Sequence, residues 1–247
     1  MEALPRRRHV VRQRVGRPRT AFSALASRPS HMRIGILGSG RMGGKLGTIF
    51  VRAGHDVVFS YAREREKLER LARDSGGVAR AGTPAEAARD ADALLLAVHW
   101  SRVDEVLKQA GDLAGKVIVT CSMPMNADDT ELVAAHTSSG AEELAKKAPS
   151  AHVVSAFGTV PSEVFFSVFE TAGSGTRPSL FYCGDNAAAK MVAVQLIRDV
   201  GFEPLDAGPL RMARYSEPFT FLTARLAYEG DKGSAVAYRF EWFDELE

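Results

Sequence analysis

The stretch Ile36–Gly47 reads ILGSGRMGGKLG and carries five glycines where a helix is expected to begin. Each glycine inside a helix costs roughly 1 kcal/mol relative to alanine. Gly38, Gly40 and Gly43 have the spacing G-x-G-x-x-G, between an apolar strand-like run and a helical segment. The pattern therefore favours a strand, a tight turn and a helix whose start stays open to an anion.

Each glycine of this motif has a distinct predicted role. Gly38 would allow the tight turn, Gly40 would let the backbone approach a pyrophosphate, and Gly43 would let the helix lie close to the sheet. The helix N-terminus offers free N–H groups and the positive end of its dipole to phosphates. We predict that Ser39, Arg41 and Met42 also contact the cofactor; the alternatives are a purely structural turn and a solvated Arg41.

Strand and helix signals alternate after residue 31 and define the fold class. The predicted strands lie at 32–38, 56–60, 91–98, 116–121, 152–157, 179–184 and 203–208. Helices are predicted at 41–54, 64–76, 186–200 and 209–228, and Pro218 is expected to bend the last of these. Two further helices are predicted to begin at the capping boxes 83–86 and 139–142. This order predicts an α/β protein with a doubly wound parallel sheet, a Rossmann fold, and a small C-terminal α/β addition.

The end of the second predicted strand indicates which dinucleotide binds. An NAD site has an acidic residue there for the ribose 2′-hydroxyl, but this strand ends in Ser60, Tyr61, Ala62 and Arg63. A hydroxyl and a guanidinium suit the 2′-phosphate of NADP. We predict NADP(H), with Ser60, Tyr61 and Arg63 at the site; alternatively Arg63 only begins a charged helix, and Arg65 or Lys67 replaces it.

The stretch AVHW, residues 97–100, lies at the end of the predicted strand 91–98. Ligands of open α/β sheets bind beyond the carboxyl ends of the strands. Ala97, Val98, His99 and Trp100 are therefore predicted to border the nicotinamide ribose. His99 would be a hydrogen-bonding wall residue or an acid or base, and Trp100 would pack or stack. The long connection 121–139 is typical of a lid and makes His136 a candidate substrate contact.

Composition sets outer bounds on the protein. It has 247 residues and a net charge of +2, with about +7 carried by residues 1–31. These residues form a leader that is expected to be disordered, or to be a gene-prediction artefact if the protein starts at Met32. The alternatives are a nucleic-acid-binding segment and a transit peptide, since both can be rich in arginine. No apolar run is long enough for a membrane span. Cys121 and Cys183 are expected to be buried thiols in the cytoplasm. We predict one domain over 32–247 and no nucleic-acid partner.

Several motifs in sequence order resemble the NADPH:coenzyme F420 oxidoreductase family, in which F420 is a deazaflavin hydride carrier. They are GSGRMGGKLG, GHDVVFSYARE, AVHW, SGAEELAKKAPSAHVVSAFGTVPSEVF, FYCGD and PLDAGPL. The resemblance implies an NADP-binding Rossmann domain whose C-terminal part, about 122–247, closes over a second redox partner. The same domain type occurs as the cytoplasmic half of six-transmembrane ferric reductases.

The resemblance also implies where the redox partner binds. Coenzyme F420 or a flavin would lie near the nicotinamide. The residues that would border it are Ser122, Met123, Phe157, Gly158, Thr159, Val160 and Pro161, with Thr159 either hydrogen-bonding the partner or satisfying backbone. Hydride transfer between stacked rings requires mainly distance, orientation and exclusion of water. We therefore name no catalytic residue and predict no metal site.

Two other functions remain open at this point. One is NADP-dependent reduction of a small oxo acid or imine; the other is a non-catalytic NADP sensor that binds a protein partner. The aromatic, acidic segment YRFEWFDELE, 238–247, is expected to pair as an edge strand, to pack on its own domain, or to meet a second subunit in a homodimer.

Overall fold

The computed structural model describes residues 31–173 and 175–243, and most of the predicted leader, residues 1–30, lies outside them. Across those residues, eight strands form one sheet. The strands are β1 Arg33–Leu37, β2 Asp56–Ser60, β3 Ala79–Ala81, β4 Ala93–Leu96, β5 Val117–Thr120, β6 His152–Ala156, β7 Ser179–Gly184 and β8 Glu203–Asp206. The helices are α1 Arg41–Arg52, α2 Arg65–Ser75, α3 Pro84–Arg89, α4 Val103–Ala110, α5 Gly140–Lys147, α6 Phe165–Thr171, α7 Ala187–Val200 and α8 Ala213–Tyr228.

The strand order is β3-β2-β1-β4-β5-β6-β7-β8. The first six strands are parallel, so the predicted Rossmann fold is confirmed. β7 runs antiparallel to β6, and β8 is parallel to β7. These two strands, in the predicted C-terminal addition, are thus the exception to the predicted parallel arrangement. From β1 the chain adds β2 and β3 toward one edge of the sheet, and from β4 onward it adds strands toward the other edge. Open α/β sheets bind ligands at this switch point between β1 and β4.

Helices cover both faces of the sheet, as their apolar patterns require. One core lies between the sheet and α1, α6 and α7, and the other lies under α3, α4 and α5. The strands β1, β4 and β5 are nearly continuous apolar runs because both of their faces are covered. β7 and β8 belong to the same sheet as β1, while the predicted functional division near residue 122 stays a prediction.

The two predicted capping boxes differ. Thr83 and Glu86 cap α3 reciprocally, with Pro84 at its first position. Ser139 accepts the backbone N–H of Glu142, but the Glu142 carboxylate accepts from the Ser139 hydroxyl and from Arg214. The second box is therefore only half formed, because an arginine of α8 competes for its carboxylate.

The C-terminal segment adds one bridge to the sheet instead of a full edge strand. The N–H of Ser179 donates to the carbonyl of Tyr238 at 2.8 Å. The ring of Tyr238 lies among Phe181, Phe219 and Phe240. Trp242 is largely exposed, and dimerisation stays a prediction.

The cysteines are buried as expected. Burial raises the pKa of Cys121 and of Cys183 to about 12, so both are neutral thiols at physiological pH. Within the described part of the chain, no helix combines the length and the apolar composition that crossing a bilayer would require.

Candidate functional site

A cleft of about 680 Å³ opens at the switch point between β1 and β4. Its walls come from the turn after β1, the end of β2 and the end of β4. The lining residues are Gly38, Ser39, Gly40, Arg41, Tyr61, Ala62, Arg63, Glu64, Lys67, Ala97, Val98, His99 and Arg102. Sequence separation between these three segments is large, so the parallel pairing of β2, β1 and β4 is what brings them together.

The glycines of the turn leave no room for side chains at two positions. Gly38 has φ of +110°, and a Cβ on it would lie 2.5 Å from the carbonyl oxygen of Ala97. A Cβ on Gly43 would lie 1.9 Å from the carbonyl oxygen of Gly38. At Gly40, by contrast, a Cβ would meet no described atom within 4 Å. The first two glycines therefore serve close backbone packing, whereas Gly40 faces the open cleft.

The N-terminus of α1 points its backbone amides toward this cleft. No described side chain caps the helix at Gly40, and the first turn carries no acidic residue. The first amides of an α-helix lack intrahelical partners and carry the positive end of the dipole. This arrangement fits a diphosphate. Gly43 itself is buried below the cleft.

The hydroxyls of Ser39 and Ser60 form hydrogen bonds within the fold. The Ser39 hydroxyl donates to the carbonyl of Ser60 at 2.9 Å, and the Ser60 hydroxyl donates to the carbonyl of Ile36 at 2.7 Å. Both side chains are fully buried. Ser60 is absent from the cleft lining, since its hydroxyl satisfies a strand carbonyl, and its contact with a 2′-phosphate stays a prediction without support from this geometry. Tyr61, at φ 56°, lines the cleft instead.

Four basic side chains line the same cleft: Arg41, Arg63, Lys67 and Arg102. Arg41, Arg63 and Lys67 are exposed, and none of them forms an ion pair with another described residue. Arg102 pairs with Glu105 at 3.0 Å. Sequence reasoning missed Arg102. It stands two residues beyond AVHW, in a short 3₁₀ turn that folds it back over the cleft.

The AVHW stretch divides between cleft and core. Ala97, Val98 and His99 line the cleft. His99 is a hydrogen-bonded wall residue: Nε2 lies 3.1 Å from a carboxylate oxygen of Asp129, and Nδ1 lies 2.8 Å from the Ser101 hydroxyl. The contact with Asp129 ties the 121–139 connection to the cleft rim. Trp100 packs against the second core and does not line the cleft, which agrees with the packing alternative and gives its predicted cofactor contact no support.

A second cavity of about 210 Å³ adjoins the first through Arg41. It lies beyond the ends of β5 and β6, below α8. Its lining consists of Arg41, Met42, Cys121, Met123, Gly158, Val160, Pro161, Ser162, Thr220, Thr223, Ala224 and Tyr228. Met123, Gly158, Val160 and Pro161 were predicted to border the redox partner, and the fold brings them together here. Met42 lines this cavity and not the cofactor cleft.

Three other predicted partner contacts have structural roles instead. The Ser122 hydroxyl accepts the N–H of Val98 at 3.1 Å and donates to the carbonyl of Leu96. The ring of Phe157 is fully buried and makes edge contacts with Phe50 and Phe165 in the core. The Thr159 hydroxyl lies 2.6 Å from the hydroxyl of Tyr238. Each side chain makes its contacts within the fold and is absent from the cavity lining.

Helix α8 supplies the part of the cavity wall that the sequence did not reveal. Thr220 donates to the carbonyl of Gly158 at 3.1 Å, and the Tyr228 hydroxyl donates to Glu163 at 3.0 Å. Burial raises the pKa of Tyr228, so its hydroxyl stays protonated. These residues belong to no recognisable motif, and they follow the strand ends by about sixty positions. His136 is exposed and lines neither cavity.

Comparisons with known proteins agree with this geometry. Residues 33–124 match the model of the family described as NADP oxidoreductase coenzyme F420-dependent. The metalloreductase STEAP3 of Rattus norvegicus is 31% identical over 185 residues, which is 75% of this chain and 36% of that protein. The chain thus spans about a third of the length of this curated relative.

Solved structures share the fold. A protein from Arthrobacter sp. FB24, proposed to be an F420-dependent NADP reductase, superimposes with a TM-score of 0.75 at 23% identity, covering 85% of this chain and 100% of that one. The reductive aminase from Aspergillus terreus in complex with NADPH and ethyl-5-oxohexanoate gives a TM-score of 0.57 at 18% identity, covering 79% of this chain and 61% of that one.

The family match covers the glycine turn, the cleft and the end of β5, which are the segments whose geometry is described above. It confirms the resemblance that the motifs indicated. Over residues 33–124 the chain therefore matches the family described as NADP oxidoreductase coenzyme F420-dependent.

Proposed function

We propose that this protein transfers a hydride between NADP(H) and a flat redox partner, coenzyme F420 or a flavin. The observation that carries the proposal is the junction of two cavities at Arg41. One has uncapped helix amides and cations, and the other is an apolar pocket beyond the neighbouring strand ends. Two ligands, one in each cavity, would come together beside Arg41, which lines both cavities.

The hydrogen-bond donors and cations of the first cavity suit the phosphate groups of NADP(H). The amides at the start of α1 suit the diphosphate, and Arg63 with Lys67 suits the 2′-phosphate at the end of β2. The backbone of Ala97 and Val98 would border the nicotinamide end. When bound, NADPH supplies a hydride. The chain's own contribution is to hold the dinucleotide along the cleft and to exclude water at the junction.

The second cavity suits an uncharged ring system. Met42, Met123, Val160 and Pro161 give apolar contact, and the α8 hydroxyls of Thr220 and Thr223 offer hydrogen bonds along one side. Among the described residues that line this cavity, Arg41 is the only charged one, and none carries a carboxylate. Flat, weakly polar rings of deazaflavin or flavin type fit this surface. The description of the family matched over 33–124 also names coenzyme F420.

Turnover experiments test the proposal. Full-length protein is mixed with NADPH and, separately, with coenzyme F420, FMN, a ferric chelate and a small oxo acid, and the loss of NADPH absorbance is followed. We expect turnover with F420 or FMN. Turnover with the oxo acid alone would instead support the small-substrate reductase, and tight NADPH binding without turnover of any acceptor would support a sensor.

Arg63→Ala is expected to weaken NADPH binding about tenfold while leaving NADH binding within a factor of two. A guanidinium–phosphate contact contributes roughly 1.5–3 kcal/mol, and NADH lacks the phosphate that receives it. Calorimetric dissociation constants for both dinucleotides measure the effect. Arg65→Ala is the matched control, because Arg65 pairs with Glu69 and is absent from the cleft lining. Equal losses for NADPH and NADH would place the 2′-phosphate elsewhere.

A further inference from the structure

Helix α8 forms the side of the second cavity that faces away from the sheet. Thr220, Thr223 and Tyr228 are its contributions to the lining, together with Ala224. The helix packs against α5. No residue of α5 lines the cavity itself, but the contact with α5 helps to hold α8 and its hydroxyls in place over the strand ends.

A buried carboxylate joins the two helices. Glu217, only 4% exposed, accepts the backbone N–H of Gly140 at 2.7 Å and that of Ala141 at 3.0 Å. These are the first two residues of α5, whose amides have no partner inside their own helix. Ser139 caps the amide of Glu142, so Glu217 supplies the remaining part of the cap from another helix.

A second contact acts one turn earlier on α8. Arg214 donates to both carboxylate oxygens of Glu142, at 2.8 and 2.7 Å. Positions three apart lie on one face of a helix, and Thr220 continues that face beyond Glu217. The rise between Glu217 and Thr220 is roughly 4.5 Å along the axis. A shift of the carboxylate is therefore passed almost directly to the cavity wall.

We propose that Glu217 is a positioning residue that fixes α8 against the start of α5 and thereby holds the hydroxyl wall over the acceptor cavity. A carboxylate has an acceptor oxygen for each of the two amides. A carboxamide of the same shape presents one acceptor and one donor, so it satisfies one amide and opposes the other. The inference rests on the proposed function only in taking the second cavity as the acceptor site.

The experiment compares wild type, Glu217→Gln and Glu229→Gln at pH 8, where the wild-type Glu217 side chain is mostly a carboxylate. Glu229 is the matched control, since it ends the same helix and forms an exposed pair with Arg225. For Glu217→Gln we expect the acceptor KM, measured with FMN or coenzyme F420, to rise about tenfold, the equivalent of one charge-assisted hydrogen bond. The Kd for NADPH is expected to stay within a factor of two. Glu229→Gln is expected to match wild type throughout.

Hydrogen exchange provides a readout that needs no acceptor. In the full chain without ligands, amides of 139–143 and 213–224 are expected to exchange faster in Glu217→Gln, and also in Glu217→Asp, whose carboxylate is one methylene too short. If wild type reduces neither acceptor, the proposed function fails, and exchange alone decides the inference. Unchanged exchange together with an unchanged KM, or an equal loss of NADPH affinity, would overturn it.

Discussion

Gly43→Ala is expected to lower the free energy of unfolding by about 3 kcal/mol, the upper part of the range for overpacking. NADPH affinity is expected to fall more than tenfold. The added Cβ would lie 1.9 Å from the carbonyl oxygen of Gly38, which is backbone and has no rotamer to escape into. Helix α1 must therefore move away from β1, and its N-terminal amides move with it. Denaturant unfolding and calorimetry measure the two effects.

Gly44→Ala is the control for this prediction. A Cβ at Gly44 would meet its nearest neighbours, two methyl carbons of Leu71, at 3.6 Å, an ordinary van der Waals distance. The substitution gains helix propensity, so stability is expected to rise by up to about 1 kcal/mol with NADPH binding unchanged. If Gly43→Ala behaved like Gly44→Ala, the close approach of α1 to the turn would be incorrect.

Periodicity in the sequence was sufficient for most of the fold. β7 and α7 were predicted within one residue of their observed bounds because Gly184 and Asn186 mark the break between them. The short strand β3 and the helices α4 and α6 were missed. β3 has three residues, too few for any alternation. The reversal of β7 was also missed, since strand direction depends on how the connection packs and leaves no local pattern.

The candidate site was predictable where it follows strand ends. Gly38, Arg63 and Val98 were located because each stands just beyond a strand whose neighbours the fold dictates. The predicted contacts have no support from the geometry where a polar side chain has a local use: Ser60 and Ser122 satisfy strand backbone. The α8 wall was missed because tertiary packing, and no motif, brings it over the cavity.

The pH dependence of stability provides a second large effect. Burial raises the pKa of Glu217 from an ordinary 4.5 to about 7, against the opposing influence of the Gly140 and Ala141 amides. The folded state then binds the proton more tightly than the unfolded state, so this residue's contribution to stability falls as pH rises from about 4.5 to 7. A difference of about 2.5 pKa units corresponds to about 3 kcal/mol.

Glu217→Gln removes this titration. The free energy of unfolding of the variant minus that of wild type is therefore expected to increase by about 2.5 kcal/mol between pH 5 and pH 8, as measured by denaturant unfolding. Glu142 and the Cys183 thiol face the same carboxylate, and Arg214 is engaged by Glu142. The charge is thus retained at a cost in stability, which fits a carboxylate kept for the position of α8.

Glu86→Gln is the control because its titration has the opposite sign and it lies far from Glu217. The hydrogen bonds from Thr83 lower the pKa of Glu86, so its stabilising contribution is lost only as pH falls below about 4.5. Between pH 5 and pH 8 the difference between this variant and wild type is expected to be flat. A flat difference for Glu217→Gln as well would mean that Glu217 stays ionised across this range. A loss of acceptor binding in a variant that is more stable than wild type at pH 8 would, in turn, exclude unfolding as its cause.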